Sequence, residues 1–220
     1  MEGKPRLLRV AYRVEECCGA RVNTIQKSID AMLRKTMNAV SSLDHRCSKA
    51  IQKLKLSDDS EHALAIPALL FGRHCVPFLI VLSFLLLHFH YACYYGLSCL
   101  LTVLVSEGLK NIFCRPRPRK QSVAERSLPI RDDVTNPAFP SGDSAQASVA
   151  AACLFCLYGW KWAFLLPIPT MFSRVYYGAH WIGDTIGGYL IGMLITLFVT
   201  PCVFHLVKLG FGDYLPTALF

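Results

Sequence analysis

Charged side chains are scarce in this sequence. Asp, Glu, Lys and Arg make up 17% of its 220 residues, whereas hydrophobic residues make up 53%. An average soluble domain is about 25% charged, so the composition argues against a water-soluble globule and favours a membrane protein. The formal net charge of +8 is compatible with nucleic acid, anionic lipid or a phosphorylated substrate as a partner.

Other familiar signals are also missing. Met1 is followed by charged residues rather than an apolar run, so we expect no cleavable signal peptide. The ten cysteines lie mostly in or beside apolar segments, without the framework of a disulfide-rich secreted domain, and are expected to be reduced. Cys153 and Cys156 form a CxxC pair, but a metal site would need further ligands inside a membrane helix. No metal or other cofactor is predicted.

Nucleic acid is a poor explanation for the positive charge. The basic residues flank apolar segments and lack interleaved aromatic residues on which bases would stack. Anionic lipid headgroups account for them better, so the expected partners are membrane lipids and a phosphorylated lipid substrate.

Long apolar segments are what the sequence does contain. A helix needs roughly 20 residues to cross the hydrocarbon core, and five segments are predicted to do so: residues 64–89, 91–111, 143–159, 161–177 and 181–207. The first is either broken near Arg73 or begins with a short re-entrant or interfacial piece. We therefore expect an all-α, polytopic membrane helical bundle with five transmembrane helices, or six as the alternative. Two Gly-x3-Gly spacings, at Gly183 and Gly188, indicate close helix packing.

The first 62 residues contain no spanning segment. Apolar residues recur there at spacings of three or four from Val22 to Leu54, which is typical of an amphipathic helix. Ser41, Ser42 and Asp44 offer a break and a new helix cap, which predicts two helices. These either pack on the membrane core or lie on anionic lipid. The predicted domains are a cytosolic basic helical region over 1–62, a transmembrane core over 63–208 and a short tail over 209–220.

Five spans would place the N-terminus, the 112–142 loop and the 177–181 turn on one face of the membrane. The loop carries six basic residues: Arg115, Arg117, Arg119, Lys120, Arg126 and Arg131. The positive-inside tendency therefore places this face in the cytosol. A sixth span would change the placement of one end.

Three polar clusters lie at span ends on this same face, where charged groups are costly unless they are functional or interfacial. They are Lys110 to Pro118; Pro140, Ser141, Gly142 and Asp143; and Ser173, Arg174, His180 and Asp184. Each alone has a structural explanation, as basic residues at a helix end, a helix cap, or an i,i+4 pair. Their convergence on one face favours a shared functional site.

The clusters have the chemistry of a phosphate site. A phosphoryl group in transfer carries charge on three equatorial oxygens, and catalysis depends on positioning and electrostatic stabilisation. Lys110, Arg117 and Arg174 are predicted to clamp those oxygens. Ser141 and Gly142, at a helix start, would add a hydroxyl, backbone N–H groups and the positive end of the helix dipole.

His180 is the histidine of these clusters and is the candidate nucleophile. Asp184 follows one helical turn later. Its carboxylate is expected to accept a hydrogen bond from one ring nitrogen and to direct the other nitrogen at phosphorus.

These residues resemble the type-2 phosphatidic acid phosphatase superfamily, which also includes vanadium haloperoxidases and acid phosphatases. The family pattern is Lys-x6-Arg-Pro, then Pro-Ser-Gly-His, then Ser-Arg-x5-His-x3-Asp, and residues 110–184 match it at every position but one. The resemblance implies an all-helical core and a metal-independent phosphohistidine mechanism. The basic N-terminal region is similar to the intracellular polyisoprenoid and presqualene diphosphate phosphatase branch, which implies an endoplasmic reticulum or nuclear-envelope location.

Asp143 is the departure, because the family has a histidine there that protonates the leaving group. A helix N-terminus favours an ionised carboxylate, which is a poor acid, whereas the charge of a bound phosphate favours the protonated form. Expelling an alkoxide needs strong protonic help, but a diphosphate expels a phosphate monoester whose second pKa is about 6. Asp143 therefore favours an isoprenoid diphosphate as the substrate.

Two other functions remain open from the sequence. One is a catalytically impaired relative that binds phospholipid or scaffolds membrane proteins, because Asp143 replaces the acid histidine. The other is a transporter or channel with basic gating residues.

Overall fold

The structure is a computed structural model that describes residues 30–72, 74–86, 89–120, 123–128, 130, 136–203 and 205. The chain divides into two compact units, Met1–Leu43 and Asp44–Phe220. The start of the predicted amphipathic region, Arg73, Arg131 and the predicted tail lie outside the described residues.

Residues 30–52 form one continuous helix, α1, so the predicted break near Asp44 is wrong. Asp44 does not cap a new helix, because its carboxylate accepts hydrogen bonds from Arg115 and from the backbone of Gly183. Short polar side chains favour caps only when they bond to their own backbone. Within the first unit, the apolar side chains of α1 are exposed: Met32, Leu33, Met37, Val40 and Leu43.

The regular structure of the second unit is helical, and its described part contains no β-strand, in agreement with the all-α prediction. The helices that follow α1 are α2 (Asp58–Leu70), α3 (Val76–Leu86), α4 (Phe89–Phe113), α5 (Gly142–Tyr158), α6 (Pro167–Tyr176) and α7 (Ile182–Leu194). A 3-10 helix at Lys161–Leu165 precedes α6, and a π-helical stretch at Ile195–Val199 continues α7.

Two helical stretches among the described residues are long and apolar enough to cross a membrane, Tyr91–Phe113 and Ile182–Val203. The predicted span 64–89 is divided, because α2 ends at Leu70 and α3 begins at Val76. Helices α5 and α6 contain 17 and 10 residues. The number of transmembrane helices, five or six, stays a prediction.

Helix α5 packs against α4, α6 and α7, and its buried face consists mainly of small residues: Ser144, Ala145, Ala147, Ser148, Ala151 and Ala152. Small side chains let helix backbones approach closely in an apolar environment. This surface provides the centre on which the other helices of the second unit are arranged.

Glycines of α7 form the closest of these contacts. A β-carbon at Gly188 would overlap the carbonyl oxygen of Ser141, and one at Gly192 would overlap that of Ala145. The backbone N–H of Ser141 also donates to the carbonyl of Asp184 at 3.0 Å. The predicted close packing at Gly188 thus brings the start of α5 against the start of α7.

One face of α4 buries polar side chains, and one of them, Ser98, bonds to a residue that follows α7. Ser98, Thr102, Ser106 and Lys110 are buried at intervals of four residues along one face of α4. Ser98 hydrogen-bonds Thr200 at 3.0 Å. Hydrogen bonds of this kind help apolar helices to associate where water is excluded.

A second polar cluster ties α2 to α6. Buried Glu61 accepts hydrogen bonds from the hydroxyl of Tyr176 at 2.5 Å and the backbone of Ser127 at 2.8 Å. Arg126 lies over the Tyr176 ring, 3.6 Å from its centroid, and donates to the carbonyl of Gln52 at 2.8 Å. The loop before α5 is therefore anchored to α1, α2 and α6 at once.

Gly188→Ala is expected to lower the free energy of unfolding by about 1–3 kcal/mol, the usual cost of overpacking a filled core, because the new methyl group meets the Ser141 carbonyl. Thermal unfolding of purified protein in detergent measures this. The matched control is Gly108→Ala in α4, where a β-carbon meets nothing within 4 Å. Equal stability of the two variants would contradict the close contact between α5 and α7.

Candidate phosphate-binding site

His180 lies in the turn between α6 and α7 and is buried. Its Nδ1 atom is 2.8 Å from the carbonyl oxygen of Ala138. A carbonyl can only accept, so Nδ1 carries the proton and Nε2 keeps its lone pair. Nε2 lies 3.4 Å from Nη1 of Arg117. The ring therefore presents its nucleophilic nitrogen to a cationic side chain.

Asp184 lies beside His180 but does not make the predicted hydrogen bond. Its Oδ2 atom is 3.8 Å from Nδ1, which is too far. Both carboxylate oxygens are already engaged: Oδ2 accepts from the Trp181 backbone N–H at 2.8 Å, and Oδ1 accepts from Arg115 at 2.7 Å. Asp184 thus acts on the ring as a nearby, fully buried negative charge.

The electrostatic environment keeps His180 neutral. Burial lowers the pKa of His180 below its ordinary value of 6.5, and the charges of Arg117 and Arg174 act in the same direction. Asp184 opposes these effects without reversing them. A neutral imidazole is the protonation state that a nucleophilic histidine requires.

Arg117 is fixed by backbone and side-chain acceptors. Its Nε and Nη2 atoms donate to the carbonyl and the side-chain oxygen of Asn136, at 3.0 and 2.7 Å. Nη1 donates to the carbonyl of Ala179 at 2.9 Å. These three hydrogen bonds hold the guanidinium beside His180 and fix its orientation.

Arg174 and Asp143 form an ion pair, with Nε of Arg174 2.8 Å from Oδ2 of Asp143. The N–H is not aligned with that oxygen, and Nε makes no hydrogen bond with other described residues. Asp143 belongs to the first turn of α5. An internal carboxylate therefore occupies one side of a predicted phosphate clamp.

Ser141 is the N-cap of α5. Its hydroxyl oxygen accepts from the backbone N–H of Ser144 at 3.5 Å and from the Ser144 hydroxyl at 3.0 Å. Gly142 follows, and a β-carbon there would meet no atom within 4 Å. The helix start is thus capped and faces open space.

Lys110 is buried at the end of α4 and pairs with Glu107, one turn earlier, at 2.6 Å. Direct contacts join the other predicted residues in small groups: His180 with Arg117, Asp143 with Arg174, and Ser141 with Asp184. The structure gives Lys110 a partner on its own helix rather than one in these groups.

Three contributing residues were not foreseen from the sequence. Arg115 was counted only as positive charge, yet it binds Asp184 and Asp44. The doubled Arg-Pro pair at 115–118 was the available signal for it. Neither Asp44 nor Asn136 carried any sequence signal for its partner, because each contact joins positions far apart in the chain.

The described residues contain no group of three or more His, Cys, Asp or Glu side chains placed to hold a metal ion. The cationic groups of the site are instead arginines, which bind phosphate oxygens through paired donors. The arrangement as a whole places two arginines, Arg117 and Arg174, near a neutral imidazole and the start of a helix.

The sequence matches the PAP2 superfamily over residues 91–208, and the chain belongs to this family. A curated relative is the lipid A 4'-phosphatase of Bacteroides thetaiotaomicron, which is 28% identical over 126 residues, covering 51% of this chain and 56% of that protein. The chain therefore matches little more than half the length of this relative.

Two solved structures share the fold. Aquifex aeolicus LpxE has a TM-score of 0.60 and 22% identity, covering 73% of this chain and 95% of that one. The PAP2-type phosphatidylglycerolphosphate phosphatase of Bacillus subtilis has a TM-score of 0.60 and 24% identity, covering 78% and 89%. That protein is a transmembrane phosphatase. The likeness of this chain to both structures lies in the helical fold, and its own two long apolar helices could cross a membrane by length and composition.

His180 is expected to titrate with a midpoint below pH 6.5, because burial and two arginines disfavour the imidazolium. Nuclear magnetic resonance of histidine-labelled protein in micelles measures the midpoint. The His180→Gln variant, which lacks this signal, assigns it. A midpoint above 6.5 would mean that the Asp184 charge dominates the environment of the ring.

Proposed function

We propose that the chain is a membrane lipid phosphatase in which Nε2 of His180 attacks the phosphorus atom of a phosphorylated lipid. The P–Nε2 bond forms as the bond from phosphorus to the leaving oxygen breaks, and the leaving oxygen takes the bonding electron pair. Water then attacks the phosphohistidine, breaks the P–N bond and releases inorganic phosphate. The supporting observation is a buried imidazole with a lowered pKa, whose unprotonated Nε2 accepts a hydrogen bond from Arg117 at 3.4 Å.

Arg117 and Arg174 would stabilise the equatorial oxygens of the transferring group. The start of α5, with Ser141 and Gly142, would add backbone N–H groups and the positive end of the helix dipole. Lys110 would supply a third cation when it exchanges Glu107 for phosphate. The positive charge for the reaction comes from side chains, so the proposed mechanism is metal-independent.

Asp184 has an electrostatic role in this proposal. Phosphorylation of Nε2 makes the ring cationic, and a buried carboxylate 3.8 Å from Nδ1 stabilises that charge. The Ala138 carbonyl meanwhile accepts a hydrogen bond from the Nδ1–H group. Orientation and charge compensation are thus divided between a backbone carbonyl and a carboxylate.

The proposed substrate is an isoprenoid diphosphate. A carboxylate paired with Arg174 has no proton to donate, so the leaving group must depart with little protonation. A phosphate monoester leaves more readily than an alkoxide under these conditions. We also propose, from the basic loop and the N-terminal region, the polyisoprenoid diphosphate phosphatase branch, a cytosol-facing site and an endoplasmic reticulum or nuclear-envelope location.

The ion pair between Asp143 and Arg174 favours a second function. A carboxylate on the clamp competes with phosphate for Arg174, and no histidine is present at position 143 to protonate a leaving group. The second candidate is therefore a catalytically impaired relative that binds a phospholipid headgroup or scaffolds membrane proteins.

Phosphate release separates the two functions. Purified protein without added metal is expected to release phosphate from farnesyl diphosphate faster than from phosphatidic acid. His180→Ala should reduce release to background, whereas His205→Ala, which alters an exposed histidine, should not. Activity surviving His180→Ala would exclude the phosphohistidine mechanism, and equal or faster phosphatidic acid hydrolysis would exclude the diphosphate preference.

Substitutions at position 143 test the role of the carboxylate. Asp143→Asn is expected to strengthen inhibition by vanadate, because Arg174 loses its internal anion. Asp143→His should raise the rate with phosphatidic acid more than with farnesyl diphosphate, because the poorer leaving group gains more from a proton donor. Asp59→Asn, at an exposed carboxylate, is the control. An inactive natural protein that becomes active with Asp143→His would establish the second candidate.

A further inference from the structure

A partly buried guanidinium joins two carboxylates next to the site. Arg115 donates from Nη1 to Oδ1 of Asp184 at 2.7 Å and from Nη2 to Oδ2 of Asp44 at 2.5 Å. Asp184 is fully buried, and the side chains of Asp44 and Arg115 are 11% and 23% exposed. Burying a carboxylate is costly unless it is paired and hydrogen-bonded, so Asp184 depends on Arg115 for its place in the core.

Side chains of α1 also complete the start of α7. The backbone N–H of Gly183 donates to Oδ1 of Asp44 at 2.9 Å, and that of Ile182 donates to the hydroxyl of Ser48 at 2.9 Å. Helix starts leave such N–H groups without partners inside the helix. A β-carbon at Gly183 would lie 2.9 Å from Oδ2 of Asp44, so a side chain at this position would displace the Asp44 carboxylate.

These contacts fix the position of Asp184. Within the described residues, Asp184 is the only carboxylate that contacts the ring of His180. Asp184 has no freedom to approach Nδ1 because Arg115 holds one oxygen and the Trp181 N–H holds the other. The distance of 3.8 Å between Asp184 and Nδ1 is therefore set by a network that begins on α1.

We propose that Arg115 and Asp44 are positioning residues for phosphoryl transfer: Arg115 holds the Asp184 carboxylate beside His180, and Asp44 holds Arg115 and the start of α7. This inference rests on the proposed phosphatase function. Neither residue touches the reacting atoms. Their effect is on the charge and the position of Asp184 during formation of the cationic phosphohistidine.

The charged groups around His180 come from several elements. Asp184 belongs to α7, Arg117 to the segment after α4, and Arg174 to α6, where it is paired with Asp143 of α5. Behind them lie Arg115 with Asp44, and His45, whose ring centroid is 4.1 Å from that of Trp181. Removing the Arg115 cation leaves Asp184 unpaired beside the ring, which favours the imidazolium.

The test compares Arg115→Met, Arg115→Lys and Asp44→Asn with the natural protein. Arg115→Met is expected to lower kcat for farnesyl diphosphate roughly 10–100-fold, as loss of a supporting residue behind an active-site ligand does, with KM changing much less. It should also raise the titration midpoint of His180. Arg115→Lys keeps a cation and should recover part of both effects. Asp44→Asn should lower kcat by less. Because it removes a negative charge and leaves the Arg115 cation beside Asp184, it should not raise the midpoint.

Arg46→Met is the matched control, because it removes an exposed cation two residues from Asp44 on α1. Thermal unfolding identifies the variants that fold. If Arg115→Met does not fold, Arg115→Lys and Asp44→Asn provide the test. An unchanged His180 midpoint in the folded Arg115 variants, or an unchanged kcat in Asp44→Asn, would overturn the inference. If the natural protein releases no phosphate, the proposed function fails, and the midpoint alone decides the role of Arg115.

Discussion

The contact between the starts of α5 and α7 is the constraint on which the site depends. Gly188 lies against the Ser141 carbonyl, and the Ser141 N–H donates to the Asp184 carbonyl. Because these are backbone contacts, side-chain rotamers cannot relax them. The capped helix start of α5 and the residues just before α7 are thereby held together, which brings two of the three polar clusters to one place.

The third cluster reaches this place through ion pairs and carbonyl acceptors. Arg115 is bound by carboxylates of α1 and α7, and Arg117 by Asn136 and Ala179. Each guanidinium thus has fixed partners, and these hydrogen bonds offset the conformational entropy that a long side chain loses when it is ordered. Arg174 differs, because its carboxylate partner is Asp143, which we expect to stand where the family has a histidine. On that expectation, the same position lacks a proton donor and carries an anion that competes with phosphate.

Much of the fold was predictable because apolar segments and small-residue spacings report directly on membrane helices and their packing. The family followed from the motifs at 110–184, which the superfamily match over 91–208 confirms. The break in α1 was predicted wrongly, because a polar residue in a helix can serve a distant partner instead of its own backbone. The dyad of His180 and Asp184 took a different geometry for a similar reason. The i,i+4 spacing brings the two side chains close together, but the ring Nδ1–H bonds to the Ala138 carbonyl and the carboxylate bonds to Arg115.

The sequence by itself determined the helical class and the family, and it predicts the membrane character and the phosphate-site residues, because these depend on local composition and on spacing along the chain. Only the tertiary structure decided which partner each charge takes. The pairs Arg115 with Asp44, Arg174 with Asp143, and His180 with Ala138 join residues 71, 31 and 42 positions apart. Such pairs form because a buried charge or proton must find whichever acceptor the packed backbone places nearest, and no periodicity in the chain encodes that choice.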